Sequence, residues 1–279
     1  MGKVMVTGAG GTLGSQVVAH LVEEGWHVLA HDRRPHDTAA AEVVTGDLRD
    51  RNQVRAALAG VDAVVHAAAI PSPDGAPEDE IFANNVQAAY TVLAEAGRAE
   101  VGRIVNVSSV SAIGLAWSQR GLSPLTAPVT EDHPYVGEDI YGLSKQLTEI
   151  VAAALSRRWG GSVVTLRFPF IGTGERLSTH LAGVHGDPGS DRGALWAWVD
   201  TRDAARAIAA ALAASPPGHH LVTITAADTT ALQPTRELLA RYHPGTTINR
   251  ELAGFASVFN TDLARNLLGF VPIHGWRQS

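Results

Sequence analysis

The chain has 279 residues, 45% of them hydrophobic and 18% charged, which is the make-up of an ordinary globular protein and excludes a disordered, collagen-like or coiled-coil design. Its formal charge of -6 comes with no long basic run, so neither nucleic acid nor a membrane surface is an expected partner. There is no cysteine, which removes disulfides and thiolate metal sites and fits a reducing cytoplasm.

The first residues run straight into a strand pattern, and no export signal is expected from them. Strand-like runs then alternate with segments of helical period. Lys3–Thr7 is followed by a helix over Leu13–Glu24, Trp26–His31 by Arg51–Leu58, Ala63–His66 by Glu80–Arg98, and Arg103–Ser108 by Ile140–Trp159, with a fifth strand at Val163–Arg167. A short strand is also expected at Glu42–Thr45. Strands and helices in strict turn predict parallel pairing with right-handed crossovers. Runs such as Ala63–Val65 and Ile104–Val107 are apolar on consecutive residues, as strands covered on both faces are. The expected fold is therefore α/β, a doubly wound (Rossmann) parallel sheet over residues 1–170.

Beyond Arg167 the rhythm breaks. Gly172–Arg192 is rich in Gly, Ser and His, and only a helix at Thr201–Ala214, a strand at Leu221–Thr225 and a weak helix at Gln233–Tyr242 follow. Residues 171–279 are expected to form mostly a small substrate lobe over the carboxyl edge of the sheet, interleaved with its final strands. Ser118–Pro134, with three prolines, is expected to be a loop near that edge. The most apolar stretch, Ala204–Ala214, is too short to cross a bilayer.

Between the first strand and first helix lies Gly8-Ala9-Gly10-Gly11-Thr12-Leu13-Gly14. Glycines at 8, 11 and 14 allow a tight turn, close approach of backbone to a pyrophosphate, and close helix–strand packing, with the helix N-terminus aimed at the anion. A bare glycine triplet also fits a purely structural turn, but here the second strand ends at Asp32. An acid at that spacing accepts the adenosine ribose hydroxyls and repels a 2′-phosphate, which favours NAD. Arg33 and Arg34 follow at once and suit a 2′-phosphate, so NADP stays open. Asp47 and Leu48 are placed to meet the adenine, although Asp47 alone would also read as a helix cap.

Tyr141 and Lys145 lie four apart on one helix face, nearly opposite the apolar stripe Leu143, Leu147, Ile150, Val151 and Ala154. A phenol of pKa about 10 must be lowered by roughly three units, or about 4 kcal/mol, to act near neutrality. Lys145 and an oxidised nicotinamide are the two cations expected to do this. Ser109, after the fourth strand, is the hydroxyl expected to hold a substrate oxygen, with Ser108 as its competitor. A pair of serines capping backbone groups is the plainer alternative.

These residues together resemble the short-chain dehydrogenase/reductase superfamily, in its extended branch of NAD-dependent epimerases and dehydratases. The matching segments are Thr7-Gly8-x-x-Gly11-x-x-Gly14, Asp47-Leu48, His66-Ala67-Ala68-Ala69, Asn85-Val86, Ser108-Ser109-x-x-x-x-Gly114, Thr130-Glu131-Asp132, Tyr141-Gly142-x-Ser144-Lys145 and Val199-Asp200-x-x-Asp203-Ala204-Ala205. The resemblance implies Ser109, Tyr141 and Lys145 as catalytic residues. It implies Gly8, Gly11, Thr12, Leu13, Asp32, Asp47, Leu48, Ala67, Ala68, Ala69, Asn85 and Lys145 as cofactor residues, to which the reading of the residues adds Arg33 beside Asp32 and Tyr141 beside Lys145.

Where nucleotide-sugar enzymes of the branch carry an Asn-Val-Tyr-Gly-Pro-like segment, this chain has Phe168-Pro169-Phe170-Ile171-Gly172. Ser108-Ser109 before Ser111-Ala112-Ile113-Gly114, and Arg176-Leu177-Ser178-Thr179, are instead similar to the uronate dehydrogenases. This makes Arg176 a candidate for a substrate carboxylate, with Ser72 and Ser111 as further substrate candidates. The function so implied is a dehydrogenase or epimerase acting on a sugar-like substrate. Elimination is disfavoured, because Val110 and Ser111 stand where dehydratases carry acids. A non-catalytic, dinucleotide-binding redox sensor is the alternative class. No metal is expected, and a homodimer through the helices Glu80–Arg98 and Ile140–Trp159 is the expected assembly.

Overall fold

The computed structural model describes residues 2–278. In chain order its elements are β1 (Lys3–Thr7), α1 (Thr12–Glu23), β2 (His27–Asp32), β3 (Glu42–Thr45), α2 (Arg51–Ala57), β4 (Ala63–His66), α3 (Glu78–Arg98), β5 (Arg103–Ser109), β6 (Thr126–Ala127), α4 (Ile140–Trp159), β7 (Ser162–Phe168), β8 (Phe170–Ile171), α5 (Gly174–Gly186), β9 (Trp198–Val199), α6 (Thr201–Ala214), β10 (Gly218–Thr223), α7 (Thr235–Tyr242), β11 (Thr247–Ile248) and α8 (Asp262–Leu268). Seven strands form one sheet in the order β10-β7-β5-β4-β1-β2-β3, every pair parallel. The doubly wound arrangement read from the strand–helix alternation is the one observed. Strand order reverses between β1 and β4, and at such a reversal the chain leaves a crevice at the carboxyl ends of the strands.

Side-chain alternation along each strand feeds two cores. Val4, Val6, Val28, Ala30, Val105 and Leu166 face α1, α6 and α8. Met5, Leu29, Val64, Ile104 and Val163 face α2, α3 and α4. The alanines of α6 let it lie close on α1. A third cluster, with Trp196, Leu115, Leu239 and Phe259, gathers residues after β5 and just before β9 around α7. Caps set the starts of several helices: Asp50 accepts from Asn52 N and Gln53 N, Asp139 from Gly142 N and Asp200 from Arg202 N.

Beyond Arg167 the sequence pattern is weak, and the structure departs from it in several places. Gly172–Arg192, expected to be irregular, holds the 13-residue helix α5, whose only fully buried residue is Val184. Three glycines and two histidines blur its period. The strand expected at Leu221–Thr225 lies at Gly218–Thr223, because its register is set by pairing with β7 from Ser162 to Arg167. The loop Ser118–Pro134 contains β6, which pairs with β11. The last expected helix starts at Thr235, with Pro234 in its cap position, and α8 was not expected at all. No helix among the described residues is long and apolar enough to cross a membrane.

Candidate active site

The carboxyl end of the sheet opens into a cleft of about 1140 Å³. Its floor begins at Gly8, whose φ of +69° is the left-handed conformation that glycine tolerates. A Cβ on Gly8 would lie 2.8 Å from the backbone of Ala68, and one on Gly14 would lie 2.0 Å from the Gly8 carbonyl oxygen. Helix α1 starts at Gly11 with no side-chain cap, and Gly10 to Gly14 line the cleft. Asp32, at the end of β2, accepts from Gly10 N (3.0 Å) and Arg34 N (3.2 Å). Arg33, Leu48 and Ala67 to Ala69 line the same space.

Asp47 also borders the cleft, but its carboxylate is chelated by Arg49 through Nε and Nη2, which holds it below the usual carboxylate range. Asn85 does not line the cleft. Its Oδ1 accepts from Ile70 N (2.8 Å), while its Nδ2 donates to Ile70 O and to Ser144 Oγ (both 3.1 Å). It braces the loop after β4 against α4. Thr7 Oγ1 meets His66 Nδ1 at 2.9 Å and accepts from Ala68 N, so the ends of β1 and β4 are tied as well.

Helix α4 turns a polar side inward: Tyr141, Ser144, Lys145, Thr148 and Glu149 are all buried, whereas Ile150 is 53% exposed. Tyr141 packs with Ile70 and Ile81, yet still borders the cleft. Lys145 Nζ donates to the carbonyl of Val107 (2.9 Å) and lies 6.0 Å from the Tyr141 ring centroid. Ser108 and Ser109 divide their work. Ser108 Oγ donates to Glu149 Oε1 (2.6 Å), whereas Ser109 Oγ accepts from Ser111 N (3.1 Å) and its hydroxyl acts on the phenol of Tyr141, favouring the ionised form.

In the protein alone the phenol is not lowered. Burial pushes Tyr141 up to about 12, against the pull of Ser109. Burial also draws Lys145 down to about 8, with Glu149 opposing. Desolvation outweighs the Ser109 hydroxyl at Tyr141, where Asp139 adds to the rise, and it outweighs the Glu149 charge at Lys145.

The far wall comes from segments whose sequence showed no period. The Phe170 ring stacks on His180 at 3.9 Å and 10°, and His180 Nε2 lies 3.6 Å from Asp191 Oδ2. The guanidinium of Arg176 sits 5.0 Å from the Phe170 centroid, and its Nε donates to Ile171 O (2.9 Å). Ser72, Ser111 and Arg176, the expected substrate residues, all border this cleft, together with Trp117, His180 and Asp191, which the sequence reading missed. No motif marks those three; only the topology brings them here.

A family model described as the NAD dependent epimerase/dehydratase family matches residues 4–224. The chain belongs to that family. Among relatives of this NAD-dependent epimerase/dehydratase chain, sterol demethylase protein B of Methylococcus capsulatus is 34% identical over 172 residues, 56% of this chain and 52% of that protein. The match thus spans about half of that relative's length. L-arabinose 1-dehydrogenase (NAD(P)(+)) of Haloferax volcanii is 29% identical over 185 residues, 63% of this chain and 70% of that protein. Among solved structures, MoeE5 in complex with UDP-glucose and NAD is 25% identical with a TM-score of 0.75, covering 99% of this chain and 95% of that one. The family's cofactor fits this cleft: the glycine floor leaves no room for side chains, the start of α1 has no capping side chain, and Asp32 stands at the end of β2.

Proposed function

We propose that this protein is an NAD-dependent dehydrogenase or epimerase that acts on a sugar-like carbinol by hydride transfer, with Ser109, Tyr141 and Lys145 as its proton-transfer set. The observation that carries the reading is that Ser109, Tyr141 and Lys145 border the same cleft as the glycine floor. NAD, when bound, supplies the hydride acceptor and a positive charge. Gly8, Gly11, Thr12 and Leu13 would hold its pyrophosphate, Asp32 its adenosine ribose, and Leu48 and Ala67 to Ala69 the walls around it. Tyr141 takes the proton from the substrate hydroxyl. Ser109 hydrogen-bonds that oxygen and orients it toward the phenol, and the Lys145 ammonium stabilises the phenolate. Asp32 favours NAD over NADP, while Arg33 and Arg34 leave NADP as a second cofactor.

The substrate we favour is a free sugar acid. The terminal guanidinium nitrogens of Arg176 have no hydrogen-bond partner among the described residues and suit a carboxylate. In support, MoeE5 has also been solved with UDP-glucuronic acid and NAD, at 25% identity and a TM-score of 0.74. The segment Phe168–Gly172 has no asparagine where nucleotide-sugar enzymes keep one, which favours a sugar without a nucleotide. As assembly we propose a homodimer through α3 and α4, whose Phe82, Tyr90 and Ile150 are exposed.

The test is to follow absorbance at the reduced-nicotinamide band with NAD or NADP and a panel of uronic acids, aldoses and nucleotide sugars. Reduction with a uronic acid is the expected result. Isomerisation without net reduction would mark an epimerase. Tyr141→Phe should lower kcat by about 10²–10⁴-fold, and unchanged turnover in that variant would refute the role of the phenol.

A further inference from the structure

Beneath the reactive pair lies a buried ion pair that the mechanism above does not use. The side chains of Glu149 and Arg167 are each 5% exposed. Arg167 Nε donates to Glu149 Oε1 (2.8 Å) and Arg167 Nη2 to Oε2 (2.7 Å), and Oε1 also accepts from Ser108 Oγ (2.6 Å). Arg167 Nη1 donates to Glu131 O (3.2 Å), and Glu131 Oε1 accepts from Thr223 N (2.7 Å) at the end of β10. One carboxylate therefore joins α4 to the ends of β5 and β7, and through Arg167 and Glu131 to β10. Burying such a pair is costly, and apolar side chains of similar volume often stabilise a core as well or better. Its placement calls for another reason.

We propose that Glu149 is a positioning residue for proton transfer: held by Arg167 and Ser108, it locks the end of β5 that carries Ser109 to the turn of α4 that carries Lys145, and it sets a negative charge behind the ammonium. The proposal rests on the reading of Ser109, Tyr141 and Lys145 given above. The titratable groups around Lys145 are few. Tyr141 and Glu149 share its helix, His66 faces it from β4, and Arg167 of β7 stands behind Glu149. Where α3 meets α4 at this level it offers the uncharged Asn85, bonded to Ser144. Glu149 is thus the negative charge that favours the protonated lysine, against the burial that draws it down.

The sequence allows a direct reading. Of its 22 lysine and arginine residues only Lys3 and Lys145 are lysines, so lysine labelled with 13C at Cε yields two resonances to titrate by NMR. In Glu149→Gln the Lys145 midpoint is expected to fall by about one pH unit, a tenfold change, while Lys3 stays in place and kcat drops at least about tenfold with KM within about twofold. A purely structural role would lower Tm without moving the midpoint, and an unmoved Lys145 midpoint would overturn the proposal. Should Glu149→Gln fail to fold, the double variant Glu149→Gln/Arg167→Met leaves no orphan buried charge. It should show a fall in the same direction, smaller because the guanidinium charge goes with the carboxylate, and an unmoved midpoint would overturn the idea. The titration needs no turnover, so a failed substrate panel and a failed Glu149 proposal are told apart.

Discussion

At the scale of single residues, the glycine floor is the most demanding feature. Gly14 has no freedom to change, since an added methyl would fall 2.0 Å from the Gly8 carbonyl and force the first turn of α1 off β1. Gly14→Ala should weaken NAD binding more than about tenfold, at least 1.4 kcal/mol, as read by calorimetric titration. An unchanged Kd would mean that the loop is not the pyrophosphate site. The two serines after β5 show what a motif leaves undecided: Ser108 and Ser109 are adjacent and chemically identical, and they are distinguished only by Glu149 on one side and Tyr141 on the other. The Tyr141 phenol makes a similar point. The spacing to Lys145 foretold the pair, but not that burial raises the phenol in the protein alone.

At the scale of elements, α4 inverts the usual rule. An amphipathic helix on a sheet normally buries its apolar stripe. Here the buried side carries Tyr141, Ser144, Lys145, Thr148 and Glu149, while Ile150 is 53% exposed and Leu143, Leu147 and Val151 only partly covered. The polar side is satisfied within the protein: Ser144 and Thr148 donate to the carbonyls of Tyr141 and Lys145, and Glu149 holds its ion pair. The outward stripe is left for another surface, and α3, packed on α4, adds Phe82 and Tyr90. If the proposed dimer forms through this face, the parent should sediment as a dimer by analytical ultracentrifugation at micromolar concentration and Ile150→Lys as a monomer. A parent protein that is already monomeric there would remove the dimer proposal.

At the scale of the whole molecule, the buried histidines make folding sensitive to acid. Burial lowers His66 to about 3 and His219 to about 4, and it also lowers His31, His133 and His243. Their folded pKa values lie below the unfolded value of 6.5, so as pH falls through that value the unfolded chain takes up protons that the native state refuses. Stability is then fully present above pH 6.5 and is lost toward pH 4, with a limiting slope of about 1.4 kcal/mol per pH unit for each such histidine. Urea unfolding at pH 7.5 and pH 5 should show the midpoint falling at the lower pH. An equal or higher midpoint at pH 5 would contradict the neutral, buried state of these rings.

What the chain itself determined is what depends on neighbours in sequence: the alternation of strands and helices, the glycine turn with Asp32 ending the next strand, and the four-residue spacing of Tyr141 and Lys145. These are written locally because backbone sterics and helical period act over a few residues. The tertiary structure alone decided the partners that lie far apart in the chain. Asn85 became a brace to Ile70 and Ser144, Glu149 took Ser108 and Arg167, and Phe170, His180 and Asp191 met at one wall. No short pattern encodes such meetings, because they are fixed by which segments the sheet order and the packing of its helices bring side by side.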